Sequence, residues 1–314
     1  MSFRGKKKQK GKDLMDGIIN VYKEAGFTSH DVVAKLRGIL GQKKIGHTGT
    51  LDPMATGVLP VCCGKATKVC ELLADKDKTY QAVCRLGIVT DTQDMTGNVL
   101  EESSVKNITK ENVTAAVESF LGESMQIPPM YSALKVNGKK LYELAREGKT
   151  VERKPRPITI HKIQILQIDI EDQTFSIEVT CSKGTYIRTL CHDIGQKLGT
   201  GAAMQSLVRT RVGTFAIEDA MTLGELENLY QEDEKAFYER VASVDSLFET
   251  YPHLQIQKAY AKKLSNGNIL KKSQFETTDE MITEGQNCLV YDENGAFKAV
   301  YRKTGNDFTV IKMF

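Results

Sequence analysis

The amino-acid sequence predicts an α+β protein with a mixed, largely antiparallel main sheet, followed by a small all-β unit. Predicted strands and helices alternate at irregular spacing, unlike the repeated βαβ units of a parallel sheet. Two alternating strands, 160–170 and 174–181, follow each other with no helix between them. From Tyr251 onward, short strands and Gly turns replace the helical patterns. These observations favour one large mixed domain and one small β domain.

The chain has 314 residues, more than a single hydrophobic core usually holds, which agrees with two domains. We expect the boundary near residue 250, so that the main domain covers 15–249 and the small domain covers 250–314. Besides the two strands given above, the main domain has further short apolar or alternating runs. These predicted strands are 17–21, 58–63 and 78–87.

Two helices have clear start signals. Ser29 is expected to cap the first helix and Thr109 the second, because hydroxyl side chains accept hydrogen bonds from the free backbone N–H groups of a helix start. Each start precedes an apolar stripe with helical spacing. The stripes are Val32, Val33, Leu36, Ile39 and Leu40, and Val113, Ala116, Val117, Phe120 and Leu121. Further helices are predicted at 185–198 and 222–237, and 45–57 is predicted to be a loop.

The formal net charge of +3 hides a strongly basic start. Six of the 43 Lys and Arg residues precede Asp13, the first acidic residue, so the rest of the chain has 37 basic and 40 acidic residues. Residues 1–14 are predicted to be a disordered basic tail that either contacts nucleic acid or only aids solubility. RNA binding by the rest of the chain therefore needs local basic patches.

Several classes of protein do not fit the sequence. No run of about 18 apolar residues could span a membrane, and no apolar segment follows the basic start as in a secretory signal, so we expect a cytoplasmic protein. The seven cysteines have neither C-x-x-C nor zinc-ligand spacing, which predicts buried thiols and no metal site. The glycines around Lys65 do not have the spacing of a phosphate-binding P-loop.

A basic excursion interrupts the pattern of strands and helices. Residues 122–157 contain four prolines and eight Lys or Arg residues, and we expect an insertion over about 124–155. Such a segment is either a solvated surface hairpin or a clamp on phosphates, where Lys and Arg neutralise the nucleic-acid backbone.

The strongest local signal is GHTGTLDPMATGVLPV at 46–61. Three glycines and three threonines within twelve residues indicate a loop with special backbone geometry. Pro53 biases Asp52 away from helical conformation. Taken alone, an Asp before a Pro in a loop is most often a turn residue.

This segment resembles the signature loop of the TruB family, the tRNA pseudouridine-55 synthases. Other segments agree with the family in order and approximate spacing. They are KTYQAVCRLG (78–87), TDTQDMTG (90–97), IPPMYSALKVNGKKLYELAREG (127–148), CSKGTYIRTLCHDIG (181–195) and LVRTRVGTF (207–215). The resemblance covers about residues 15–248. In addition, HLQIQKAYAKKLSNGNIL (253–270) is similar to the PUA module that accompanies this family.

The resemblance implies three catalytic residues. Asp52 matches the family's nucleophilic aspartate, and Arg188 matches the arginine that pairs with it. Tyr80 matches the tyrosine that stacks on the target base and can assist proton removal.

Five further residues are implied to bind the substrate. Tyr186 is expected beside Arg188 in the same pocket, and Leu207 as an apolar wall of the uracil pocket. His47 is expected to enter the RNA loop from which the target uridine is extruded, and Lys183 and Arg209 are expected to contact phosphate. Val208 departs from the family, in which relatives often have a second Arg, and this costs at most one phosphate contact.

The resemblance therefore implies isomerisation of uridine to pseudouridine in the T arm of tRNA. This reaction exchanges no electrons or atoms with a partner, so no cofactor is expected, and we also expect a monomer without an obligatory protein partner. A tRNA-binding folding chaperone without essential catalysis is the alternative, although it would not need Asp52, Tyr80 and Arg188 together. The related guide-RNA-dependent synthases are a third candidate, but they usually lack the 124–155 insertion.

Overall fold

The computed structural model of the protein describes residues 14–276 and 282–314. Apart from Leu14, the basic tail predicted for residues 1–14 lies outside the described residues. In the first part of the chain the strands are β1 (Gly17–Lys23), β2 (Ile45–His47), β3 (Thr56–Cys63), β4 (Lys78–Leu86), β5 (Ile88–Thr90), β6 (Val99–Glu102), β7 (Gly122–Gln126), β8 (Lys135–Val136), β9 (Lys139–Lys140), β10 (Arg156–Asp169), β11 (Thr174–Cys181), β12 (Ala202–Val212), β13 (Phe215–Ala216) and β14 (Val241–Ala242).

The strands that follow form the second sheet: β15 (His253–Gln255), β16 (Leu270–Lys271), β17 (Asn287–Tyr291), β18 (Phe297–Thr304) and β19 (Asp307–Met313). The helices are α1 (Ser29–Leu40), α2 (Cys70–Ala74), α3 (Lys110–Glu118), α4 (Leu141–Arg146), α5 (Ile187–Leu198), α6 (Leu223–Glu232), α7 (Glu234–Glu239) and α8 (Ala261–Ser265). Among the described residues, no helix is long and apolar enough to cross a membrane.

The main sheet confirms the predicted fold class. Within the described residues it has ten strands, eight of them in the order β14-β1-β3-β12-β4-β11-β10-β7, with β2 beside β3 and β13 beside β12. The β3–β12 pair is parallel and the other pairs are antiparallel. Helices α3 and α5 pack with β4, β10, β11 and β12, and α1, α6 and α7 pack near β1 and β3.

Three local predictions need correction. The first helix is capped by Thr28, not by Ser29, because Thr28 and Asp31 form a reciprocal capping box. The predicted loop at 45–57 begins with strand β2, whose Ile45 pairs with Cys63. The helical stretch 222–237 is two helices, which meet at Asp233. The cap at Thr109 is as predicted, with a capping box to Asn112.

The second sheet curls into a half-barrel and packs on the main unit. Its strand order is β15-β17-β18-β19-β16, in which only the β15–β17 pair is parallel. Leu289 and Val300 from this sheet share a buried apolar cluster with Ile18, Val69 and Leu73. The two sheets therefore bury apolar surface against each other.

Candidate active site

The loop between β2 and β3 carries Asp52, and its backbone is anchored on both sides of this residue. On one side, the backbone N–H of Leu51 donates to the Ser29 hydroxyl at 3.0 Å. On the other side, the buried Lys23 ammonium donates to the Pro53 carbonyl at 3.0 Å. Both anchors belong to the segment from β1 to the start of α1, so the core of the main domain fixes the position of Asp52.

Arg188, in the first turn of α5, faces Asp52 with two nitrogens. Its Nε lies 2.9 Å from Oδ2 and its Nη2 lies 3.3 Å from Oδ1, the forked geometry in which guanidinium and carboxylate bind strongly. The same guanidinium donates to the Thr92 carbonyl at 2.9 Å and to the Tyr131 carbonyl at 2.8 Å. A second carboxylate, that of Asp94, lies 3.7 Å from Nη1. Arg188 therefore joins three separate segments around Asp52.

Sequence reasoning interpreted the segment of Asp94 as a turn and missed its position beside Arg188. The carboxylate of Asp94 accepts hydrogen bonds from the backbone and the hydroxyl of Thr96 at 2.9 and 2.6 Å, and from the Thr92 hydroxyl at 2.8 Å. These bonds hold a second negative charge near Asp52. The TDTQDMTG segment was part of the family resemblance, which was the available signal, but nothing in its spacing indicated Arg188.

Opposing effects act on the pKa of Asp52. Burial is the largest effect and raises the pKa, the Arg188 guanidinium lowers it, and the nearby Asp94 carboxylate raises it again. The net direction is upward from the ordinary value of an aspartate. The carboxylate side chain remains 39% exposed towards the open side of the site, so a ligand can reach it.

Tyr80, Leu207 and Arg209 form the floor of the site. Strands β4 and β12 are antiparallel, and Arg209 is the direct cross-strand partner of Tyr80, while Leu207 is the partner of Ala82. Tyr80 and Leu207 are 9% and 8% exposed, which places an aromatic ring and an aliphatic chain beside each other at the edge of the core.

A cavity of about 750 Å³ opens over these side chains. Six of the eight predicted site residues line it, namely Asp52, Tyr80, Tyr186, Arg188, Leu207 and Arg209. This volume is within the range of binding sites for small organic groups, about 300–1,000 Å³. The structure therefore brings together an ionisable carboxylate, a guanidinium, two phenols and an apolar wall.

Tyr186 is placed by a contact between two elements. Its backbone N–H donates to the Gln126 side chain at 2.8 Å, and the Gln126 amide donates back to the Tyr186 carbonyl at 3.1 Å. This double contact joins the start of α5 to the end of β7. The basic insertion leaves the sheet after Gln126, and we call 127–155 the thumb. Tyr131 and Tyr142 of the thumb also line the cavity.

Two predicted site residues lie outside the cavity lining. His47 is in β2, where its ring packs edge-on against that of His30 at 5.2 Å between centroids, and burial lowers its pKa. Lys183 is exposed and pairs with Asp75 at 2.9 Å. Their proposed RNA contacts stay predictions.

Arg209, for which a phosphate contact is expected, is buried below the cavity and bound to backbone carbonyls. The residue is only 1% exposed, and its Nε donates to the Val58 carbonyl at 2.7 Å. Its Nη2 donates to the Gly49 carbonyl at 3.3 Å, so that the guanidinium connects β3 with the loop of Asp52. The phosphate contact of Arg209 stays a prediction.

Two models of known protein families match the part of the chain that contains this site. The model of the TruB family pseudouridylate synthase (N terminal domain) matches residues 37–187, and that of the tRNA pseudouridylate synthase B C-terminal domain matches 188–249. A protein of Lachnoclostridium phytofermentans named tRNA pseudouridine synthase B is 51% identical over 311 residues, which cover 96% of this chain and 100% of the relative. The chain belongs to the TruB family. Its cavity thus lies in a pseudouridylate synthase domain.

Further relatives and solved structures are also similar to this chain. The tRNA pseudouridine synthase B of Clostridium perfringens is 42% identical, over 95% of this chain and 99% of the relative. The crystal structure of a Cbf5–Nop10–Gar1 complex matches 95% of this chain and 84% of the matched chain, with a TM-score of 0.70 and 28% identity. An H/ACA ribonucleoprotein bound to a substrate RNA containing 2′-deoxyuridine matches with the same TM-score and 26% identity. Among the residues that the structure describes, no three His, Cys, Asp or Glu side chains cluster as metal ligands.

Proposed function

We propose that this TruB-family chain converts uridine 55 in the T loop of tRNA to pseudouridine, with Asp52 as the nucleophile. The observation that carries the proposal is the Asp52–Arg188 pair, held at 2.9 Å in a cavity that also contains Tyr80 and Leu207. The names of the relatives supply tRNA as the substrate, and the resemblance supplies position 55. A tRNA substrate also agrees with the cytoplasmic location predicted from the sequence.

The reaction breaks the C1′–N1 bond, turns the uracil and joins its C5 to the same sugar carbon. An ionised Asp52 stabilises or traps the electron-poor sugar carbon, as a carboxylate does in glycoside hydrolysis. Arg188 favours the ionised form of this carboxylate, against the effects of burial and of Asp94. Because the uracil must turn while it is detached, the site needs walls that hold the ring without covalent contact, and Tyr80 and Leu207 supply an aromatic and an aliphatic face.

The target nucleotide has to leave the RNA stack to reach Asp52. Tyr131, Tyr142 and Arg146 of the thumb line part of the cavity of about 750 Å³. Lys135, Lys139 and Lys149 of the thumb are exposed. Lys139 and Lys149 pair with Glu147 at 3.5 and 2.8 Å, but exposed pairs of this kind are weak and can exchange for phosphates once RNA docks. Recognition of a folded loop by its shape and its unpaired bases follows from this layout.

We further propose that the chain acts without guide RNA or a protein partner. The thumb supports this, because it contributes Tyr131 and Tyr142 to the cavity and its Tyr131 carbonyl binds Arg188. The site is thus built from one chain. The absence of a cofactor stays a prediction of the reaction chemistry.

The test is incubation of the purified chain with an unmodified tRNA transcript, followed by mapping of pseudouridine at every uridine. A matched transcript with cytidine at position 55 serves as the control. We expect one modified position in the first RNA and none in the second. Modification elsewhere would contradict the T-loop assignment, and improved tRNA folding without any pseudouridine would favour the chaperone alternative.

A further inference from the structure

Arg209 is a buried cation without an acidic partner. It is 1% exposed, and its hydrogen bonds to the backbone go to the carbonyls of Val58 and Gly49. Among the described residues, no Asp or Glu carboxylate lies within 4.0 Å of this guanidinium. Burial of a charge without an opposite charge is costly, so a neighbouring group that takes a negative charge is stabilised at this position.

The acidic group that faces Arg209 is the phenol of Tyr80. The two residues are direct cross-strand partners on β12 and β4, and both line the cavity. Burial raises the pKa of Tyr80, while the charge of Arg209 and its hydrogen bond to the phenol lower it. In turn, burial lowers the pKa of Arg209 and the phenol raises it. Each group therefore favours the charged form of the other.

The remaining charged or titratable groups around Tyr80 act in the opposite direction. Asp52, from the loop after β2, and Cys181, at the end of β11, both raise the pKa of Tyr80. Lys78, on the strand of Tyr80, directs its ammonium to the Ala74 and Lys76 carbonyls. Arg209 is thus the group facing Tyr80 that stabilises a phenolate.

We propose that Arg209 is a positioning residue for Tyr80, which fixes its phenol beside the target base and stabilises its phenolate form. This inference deepens the proposed function and rests on it. Once C5 has bonded to C1′, it still carries its hydrogen. The Tyr80 phenolate removes this proton, and the electron pair of the C5–H bond forms the C5–C6 double bond. The C6–N1 double bond breaks at the same time, and its electron pair moves to N1, which takes a proton from water. Tyr80 then returns its proton to solvent, so no atom or electron is gained overall.

A purely structural role for Arg209 predicts different behaviour. Arg209 also holds the Gly49 carbonyl, and loss of that bond alone would disturb the loop of Asp52. Such damage lowers the rate at every pH and does so whether or not Tyr80 has its hydroxyl. A role through the phenolate acts only through that hydroxyl and weakens as rising pH ionises Tyr80.

A double-mutant cycle separates these roles. Single-turnover rates with saturating enzyme are measured from about pH 6 to about pH 10 for wild type, Arg209→Gln, Arg209→Lys, Tyr80→Phe and Arg209→Gln/Tyr80→Phe. The control is Arg211→Gln, which removes an exposed charge from the same strand. We expect Arg209→Gln to reduce the rate about tenfold or more near pH 7, equivalent to one unit in the pKa of the base. Arg209→Lys should recover part of the loss.

In the Tyr80→Phe background, Arg209→Gln should change the rate less than about threefold, because coupled residues are non-additive. An equal loss in both backgrounds overturns the proposal. If Arg209→Gln does not fold, Arg209→Lys replaces it in the same cycle, and an equal loss with and without the Tyr80 hydroxyl overturns the proposal.

If the proposed function is wrong, wild type forms no pseudouridine in tRNA, and this result is distinct from failure of the Arg209 inference. A titration of tyrosinate absorbance without RNA, taken as the difference from Tyr80→Phe, still tests Arg209 in that case. We expect Arg209→Gln to raise the pKa of Tyr80, and an unchanged pKa overturns the inference.

Discussion

Replacement of Arg188 by Met removes the cation that faces Asp52 and keeps a similar side-chain volume. In the structure, one guanidinium nitrogen lies 2.9 Å from Oδ2 and another lies 3.3 Å from Oδ1. An adjacent guanidinium typically lowers the pKa of a carboxylate by about 1–3 units. Because 39% of the Asp52 side chain is exposed and solvent screens the pair, we use the lower end, about tenfold in the ionised fraction.

The direction of the change in the pKa of Asp52 follows from the charged groups that remain near it in Arg188→Met. Without Arg188, burial and the Asp94 carboxylate raise the pKa of Asp52, and only the more distant Lys23 opposes them. The nucleophile must be ionised, so the rate of Arg188→Met falls most at low pH and recovers as the pH rises through the new pKa. We expect its deficit near pH 6 to exceed the deficit near pH 9 by about tenfold. A second change, Asp94→Asn, should reduce that difference because it removes a neighbouring negative charge.

The assay is the single-turnover rate of pseudouridine formation with saturating enzyme from about pH 6 to about pH 9. Arg211→Met, an exposed position on β12, is the control for loss of a positive charge. A constant offset between the profiles of Arg188→Met and wild type would refute the electrostatic reasoning. Arg188 would then only align Asp52 or contact RNA, and the assignment of Asp52 would stand.

Three other predictions follow from the fold and the reaction. Activity on a folded transcript should survive excess chelator without added nucleotide or protein, and a requirement for ATP or guide RNA would contradict this. Lys262→Glu on the small domain should weaken tRNA binding but leave the single-turnover rate within about tenfold, since 250–314 is predicted to serve affinity; normal binding with a lost chemical step would argue against this division. Gly57→Ala should lower the free energy of unfolding by about 3 kcal/mol in denaturant titrations, because a Cβ would lie 2.2 Å from the Arg209 carbonyl oxygen at φ +102°. Gly122→Ala, which also has positive φ but open space, should lose only about 1–2 kcal/mol, and equal losses would contradict the argument.

Local elements could be predicted where neighbouring residues decide them. Thr109 caps α3 because Asn112, three residues later, completes the capping box. The same signal existed for Thr28 with Asp31, but the adjacent Ser29 was chosen instead. The Ser29 hydroxyl instead accepts a hydrogen bond from the backbone N–H of Leu51. This partner is 22 residues away, so local sequence patterns do not predict the contact.

The site was predictable to the extent that the family resemblance carried it. Asp52 and Arg188 are 136 residues apart, and no periodicity brings them together. Asp94 was missed because its contact with Arg188 depends on the fold. For Arg209 the resemblance implied only a phosphate contact, although the alternation of a strand puts it on the same side as the apolar Leu207, two residues before it. That signal could have predicted its burial.

The most direct test of the central claim compares Asp52→Asn with wild type and with Asp77→Asn, a control carboxylate paired with His161 at the surface. Each protein is incubated in excess with the unmodified tRNA transcript, and pseudouridine at position 55 is quantified over time, with tRNA affinity measured in parallel. We predict that Asp77→Asn matches wild type, and that Asp52→Asn binds tRNA with similar affinity but forms no pseudouridine. Formation of pseudouridine by Asp52→Asn at a rate near that of wild type would contradict the account.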